Sequence, residues 1–216
     1  GALVWGGGRT IKVSLDRGDL WDLRVPEAFN DPRWNYRSMQ EMVASNDVGT
    51  FRALFDVPYD TVPYPTKLPG GRVEITLPEG VDAREFRLDL RRAEARVELG
   101  DKGAGDVRAV VVSDRPLMLM RFPVGAKPAL RLIRPTGLDR LGYGGAKEGA
   151  EGNVTWMEQR AAGDLTYAIA AAVKSGEAGH TLAISVTTSE KGGDALGTAR
   201  AEVERAKNEL NATAEP

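Results

Sequence analysis

From Arg72 to Thr188 apolar residues recur at every second position in short runs, and this alternation constrains the fold more than any other feature of the chain. Val73, Ile75 and Leu77 alternate with polar neighbours, and Phe86, Leu88 and Leu90 do the same. The runs Ala93–Leu99, Val107–Ser113, Leu117–Phe122, Ala129–Arg134, Asn153–Arg160, Leu165–Lys174 and Thr181–Thr188 follow. Between them stand turn formers such as Gly103-Ala104-Gly105, Asp114-Arg115-Pro116, Ala162-Gly163-Asp164 and Gly176-Glu177-Ala178-Gly179. A period of two puts successive side chains on opposite faces of a strand. Strands about ten residues apart with turn signals between them predict an antiparallel sandwich or barrel, here a large mostly β sandwich. A doubly wound fold would need helices between the strands, and no helical spacing occurs there.

The first residues extend the same pattern. Ala2–Trp5 and Thr10–Leu15 read as two strands joined by Gly6-Gly7-Gly8-Arg9, whose glycines supply the positive φ of a tight hairpin. The glycine cluster is no phosphate loop, because it lacks the following helix and the Lys-Ser/Thr pair. Residues 22–35 are polar, with Pro26 and Pro32, and have no regular pattern. Met39, Met42 and Val43, then Phe51, Leu54 and Phe55, recur at helical spacing. They predict two short helices over about 36–45 and 47–56, the second capped by Asp47. Tyr59–Pro69, with three prolines, is expected to be extended loop, and Gly142–Gly152 a Gly-rich loop. Ala195–Leu210 is rich in Ala, Glu, Arg and Lys at helical spacing. The expected division is a β-sandwich domain over 1–193, with its helical insertion at about 36–56, and a linker helix over 194–216. The opening Gly1-Ala2-Leu3-Val4-Trp5 reads as a strand already under way, and the chain is expected to be a piece of something larger.

Composition removes several functions. Cys is absent, so disulfides, thiolate catalysis and Cys-ligated metals are excluded. The 29 basic and 31 acidic side chains are well mixed and sum to a net charge of -2, which leaves no basic stripe to neutralise phosphates and no nucleic-acid partner is expected. No apolar run approaches the ~18 residues of a membrane-spanning helix, and no membrane partner is expected. His180 is the only histidine, so a Ser-His-Asp triad or a zinc site would depend on it alone. Next to Gly179 at a strand start it reads as a solvated turn residue. No metal site and no cofactor is expected. Asn153-Val154-Thr155 matches a glycosylation sequon and is read as coincidence.

Asp16-Arg17-Gly18-Asp19-Leu20-Trp21-Asp22 is the most unusual stretch: three carboxylates, an Arg and a Trp at a strand end. Carboxylates accept from sugar hydroxyls and an indole face stacks on a pyranose, so Asp16, Arg17, Asp19 and Trp21 are the candidate substrate-binding residues. The plain alternative is that Asp16 and Arg17 cap a turn and Trp21 fills the core. Glycoside hydrolysis needs two carboxyl groups ~5 to ~9.5 Å apart across one bond. Nothing in the pattern raises a carboxyl pKa or builds a cleft around Asp16, Asp19 and Asp22, so no catalytic residue is assigned.

Gly1-Ala2-Leu3-Val4-Trp5-Gly6, followed by Ile11-Lys12-Val13-Ser14-Leu15-Asp16-Arg17-Gly18-Asp19-Leu20-Trp21, resembles the amino-terminal domain of glycoside hydrolase family 95. That family comprises α-L-fucosidases and α-L-galactosidases. Its members run through Gly-Asn-Gly-x-Leu-Gly-Ala-x-Val-x-Gly, a short turn, and Asn-Glu-Asp-x-Leu-Trp; Asp19-Leu20-Trp21 matches the end of the second motif. The helical excursion at 36–56 and the re-entry from Tyr64-Pro65 into Gly71-Arg72-Val73-Glu74-Ile75 are similar to the family's, and the likeness continues weakly through Trp156-Met157-Glu158-Gln159. Arg17-Gly18 replaces the family's Asn-Glu, and the Gly-Asn-Gly start is missing. The resemblance implies a β-supersandwich, a helical linker and an (α/α)6 barrel that carries the acid and base after Pro216. It implies a carbohydrate substrate, a partner barrel in the same polypeptide, and a secreted or periplasmic location. The expected function is a non-catalytic domain of a glycoside hydrolase that braces the barrel and lends a loop to its active-site rim. Two other readings are a free-standing carbohydrate-binding or scaffold module and a small hydrolase using the Asp cluster.

Overall fold

The computed structural model describes residues 1–101 and 105–212 and has the expected mostly β fold, built of antiparallel sheets. In chain order the strands are β1 (Ala2–Gly7), β2 (Thr10–Leu15), β3 (Trp21–Asp22), β4 (Thr66–Lys67), β5 (Gly71–Thr76), β6 (Val81–Asp89) and β7 (Glu94–Asp101). They continue with β8 (Gly105–Val111), β9 (Leu117–Phe122), β10 (Ala129–Ile133), β11 (Lys147–Glu151), β12 (Val154–Arg160), β13 (Thr166–Gly176) and β14 (Gly179–Thr188). The helices are α1 (Tyr36–Ala44), α2 (Val48–Phe51), α3 (Val57–Thr61), α4 (Gly137–Arg140) and α5 (Ala195–Ala212). A four-stranded sheet, β1-β2-β5-β10, packs on one face of an eight-stranded sheet, β11-β12-β13-β14-β9-β8-β7-β6.

Period-two patterning does what it should at this seam. Ile11, Val13 and Leu15 of β2 are buried while Thr10, Lys12 and Ser14 between them are partly exposed. Ile11 stands opposite Ile75 and Val13 opposite Val73, so the inner face of the small sheet is a set of matched β-branched pairs. Met120, Met157, Tyr167, Ile169, Leu182 and Ile184 meet them from the large sheet.

β13 breaks the alternation, because it is covered on both faces. Tyr167, Ile169 and Ala171 point into the sandwich. Ala168, Ala170 and Ala172 point the other way, against Ala195, Ala199, Val203 and Ala206 of α5. Small residues on both sides let the helix lie close to the strands, and Arg115 ties it down through Glu202 (2.8 Å) and Glu209 (2.7 Å). The helix predicted from Ala195 is therefore a third layer on the sheet.

The helical excursion forms as expected and runs further. Asn35 caps α1 by accepting from the Ser38 N–H (3.0 Å), and Asp47 caps α2 through Thr50 (3.1 Å). A π turn at Arg52–Asp56 then leads into α3. The apolar side predicted for α1 stays outside the core: no residue of α1 is buried. A separate aromatic cluster holds this region, with Phe29, Trp34, Phe55 and Tyr59 at centroid distances of 4.4 to 5.8 Å along the chain of contacts.

Three expectations are corrected. The loop predicted over Tyr59–Pro69 begins inside α3, since Pro58 sits in a first turn where its missing N–H costs nothing, and it later pairs as β4. Gly142–Gly152 is not merely a loop: β11 pairs there with β12, Gly149 opposite Trp156. A one-turn helix, α4, interrupts the β pattern at Gly137. Of the predicted turn Gly103-Ala104-Gly105, the first two residues lie outside the described residues, as do residues 213–216 of the predicted linker.

Candidate functional site

The acidic stretch leaves the small sheet at the end of β2 and is clamped at both ends by buried leucines. Gly70 N–H donates to the Leu15 carbonyl (3.1 Å) and Leu68 N–H to the Leu20 carbonyl (3.0 Å). Leu20 and Leu68 are both fully buried. β3 then pairs with β4, and alternation sends Trp21 outward and Asp22 inward.

The four predicted residues divide into two groups. Arg17 and Asp19 turn toward β14. The Arg17 guanidinium forks onto Asp19 through Nε (2.9 Å) and Nη2 (2.7 Å), and its Nη1 donates to the Val186 carbonyl (2.9 Å). Thr188 Oγ1 donates to the same carboxylate (3.0 Å). The Arg17 hydrogen bonds hold the Asp19 carboxyl below its usual range against the opposing desolvation, and Asp19 raises Arg17 in return. These two side chains have spent their polar groups on stitching the loop to the large sheet.

Asp16 and Trp21 stay at the surface, on either side of Lys67. The Lys67 ammonium pairs with Asp16 (2.8 Å), bonds the Arg17 carbonyl and lies 5.6 Å from the Trp21 ring centroid. Trp21 is 43% exposed, so it is not the core residue of the plain alternative. Its indole N–H donates to the Gly18 carbonyl (2.9 Å), which fixes the ring's orientation.

A second network lies directly inside. Asp22 is fully buried and accepts from Arg24 N–H (3.1 Å), Nε (3.0 Å) and Nη2 (2.6 Å), and from the Tyr143 hydroxyl (2.9 Å). Arg24 also donates to the Leu141 carbonyl (2.8 Å) and lies over Tyr64, 4.2 Å from its centroid. Desolvation pushes the Asp22 carboxyl up, but the Arg24 and Tyr143 hydrogen bonds outweigh it and leave the group below its usual range. Desolvation and the bond to Asp22 push Tyr143 up to about 12. Sequence spacing singled out Asp22 but not its neighbour Arg24, nor Tyr64, Lys67, Thr188 or Tyr143, which arrive from distant segments. The Arg24 partner alone had a signal, because residues two apart on an extended chain share a face.

Chemically the three carboxylates are tied up in ion pairs and are not set as an acid–base pair. Each of the three carboxylates has its own cation, and Asp19 and Asp22 are shifted in the direction opposite to that of a general acid working near neutrality. His180 bridges Ser175 Oγ (2.8 Å) and the Val124 carbonyl (3.0 Å), so both ring nitrogens serve a turn. Among the described residues no group of three His, Asp or Glu side chains is placed to hold a metal ion. Compared with protein-family models and with curated proteins, the chain matches none.

Proposed function

We propose that this chain is a non-catalytic β-sandwich domain of a glycoside hydrolase acting on α-linked, fucoside- or galactoside-like sugars outside the cytoplasm. In this reading it braces a catalytic barrel and presents the rim formed by Trp21, Asp16 and Lys67 to the carbohydrate. The observation that carries the reading is Trp21: a half-exposed indole, oriented by Gly18 and flanked by a carboxylate and an ammonium group. An indole face for the C–H side of a pyranose and charged acceptors and donors for its hydroxyls are what a sugar contact needs. A free-standing carbohydrate-binding module is the second reading. It is favoured by α5, which uses its apolar side on Ala168, Ala170 and Ala172 and so closes the fold on itself.

Two assays on the 216-residue chain test the proposal. Aryl α-L-fucosides and α-galactosides are expected to release no phenol, and turnover lost in Asp16→Asn or Asp19→Asn would overturn the non-catalytic reading. In affinity electrophoresis through gels loaded with fucosylated or galactosylated polysaccharide, the wild type is expected to be retarded and Trp21→Ala to run free. Equal retardation of both would remove Trp21 from the site.

A further inference from the structure

The sandwich is open at one corner, between the edge strands of its two sheets. β1 is the edge of the four-stranded sheet and β6 the edge of the eight-stranded one. The two edges start to zip together antiparallel where Ala83 N–H donates to the Gly8 carbonyl (2.7 Å). They then diverge at the β-bulge between Ala83 and Glu85, which re-aims the rest of β6. The result is a wedge-shaped groove of about 490 Å³ between β1 and the far ends of β6, β7 and β8.

Its floor is the inner, core-facing side of the large sheet. Phe86 stands opposite Val97, Leu88 opposite Ala95 and Ala95 opposite Ala109, all on the face that forms the core further in. Val97 and Ala109 are buried, but the small sheet stops at β1 and leaves the outer end of this floor open. Leu88 is 65% exposed and Val111 51%. Along one wall Ala2 and Val4 project toward the same floor.

That wall is also an open backbone edge. Asp16 N–H donates to the Gly1 carbonyl (2.9 Å) and the Gly1 amine to the Asp16 carbonyl (2.6 Å), which makes Gly1 and Asp16 a mutually bonded pair. Antiparallel ladders alternate, so Leu3 and Trp5 spend their amides on β2 while the N–H and C=O groups of Ala2 and Val4 point into the wedge. No hydrogen bond among the described residues satisfies them, nor those of β6 facing them from Glu85 to Leu88.

We propose that this wedge takes an extended strand, apolar at alternate positions, from a partner polypeptide, and that the strand pairs with β1 while its apolar side chains cover Phe86, Leu88 and Val111. A small molecule could fill the floor but would leave two rows of peptide groups unpaired, whereas a strand satisfies the floor and the walls together. A second copy pairing β1 with β1 would drive the two protruding β6–β8 ends into each other, because both lie on the same side of the joined sheet. The proposal stands on this corner alone and does not depend on the carbohydrate reading.

The test uses a fluorescein-labelled, end-capped peptide of alternating valine and threonine, titrated into the 216-residue chain and followed by anisotropy. Binding is expected, weakened about tenfold by Val4→Pro, which removes one outward-pointing N–H without touching the β1–β2 ladder. Leu88→Lys, at an exposed position that folding does not need, is expected to weaken it comparably, and the same peptide N-methylated at alternate residues should not bind. Absence of binding up to the peptide's solubility limit, or equal affinity for wild type, Leu88→Lys and the N-methylated peptide, would overturn the proposal. So would a wild-type dimer in sedimentation that Leu88→Lys dissociates, since the occupant would then be a second copy.

Discussion

Replacing Asp22 with Asn is the sharpest probe of the network under the candidate site. The substitution keeps shape and removes one charge from a fully buried carboxylate that accepts from three N–H groups of Arg24 and from the Tyr143 hydroxyl. Bonds to a charged group contribute ~1.5–3 kcal/mol each in net terms. The Arg24 head is 46% exposed, however, and water replaces much of what it loses. A cost of about 2–3 kcal/mol follows for Asp22→Asn, against about 1 kcal/mol for Tyr143→Phe, which deletes a single neutral donor. Because both changes act on one carboxylate, the double variant should cost less than their sum. Urea unfolding at neutral pH measures all three, provided the slope stays constant. The pH dependence has a definite sign. The folded Asp22 carboxyl lies below its unfolded value of about 3.9, so its stabilisation is present above that pH and disappears as pH falls through the lower folded value. The gap between wild type and Asp22→Asn should therefore close on acidification. A gap under ~0.5 kcal/mol at neutral pH, or one that persists in acid, would refute the reasoning.

Two further outcomes are expected. Trp21→Ala should lower stability by about 1 kcal/mol, well below the ~3–5 kcal/mol of a core Trp, because the ring is already half in water; a calorimetric loss on the core scale would mean it is buried in solution. Ala199→Leu should cost about 1–3 kcal/mol in urea, since the added atoms must fit between α5 and the alanines of β13; no cost would mean that the helix is not seated there.

Most of the sandwich was legible because its strands have one buried face, so period two and burial coincide, as in Thr10–Leu15. Where that coincidence fails, the pattern fails too. β11 has no buried residue and its sequence reads as loop, while Gly149 sits under the Trp156 ring, with which any Cβ would collide. β13 is buried on both faces and hides its period, yet its length and turn signals still mark it. At the candidate site, Arg17 with Asp19 and Asp22 with Arg24 were within reach of the sequence. Pairs of Arg and acid two residues apart also join Arg72 to Glu74, Glu85 to Arg87 and Glu94 to Arg96. Lys67, Tyr143 and Thr188 were not, since each is brought in by tertiary pairing across 50 residues or more. The direction of Trp21 depended on β3 pairing with β4, a contact two residues long that no local pattern announces.

The four tryptophans make the central claim directly measurable, because each indole N–H gives its own signal in a two-dimensional proton–nitrogen spectrum. Trp21 donates to the Gly18 carbonyl and Trp5 to Ser14 Oγ, while Trp34 Nε1 is buried without a partner among the described residues, so the environments differ. On titration with a fucosylated or galactosylated oligosaccharide, the Trp21 indole should shift in a saturable way, the amides of Asp16 and Lys67 should follow, and the Trp34 and Trp156 signals should stay in place. A Trp21 signal unmoved at saturating sugar, or a shift centred on another tryptophan, would contradict the account.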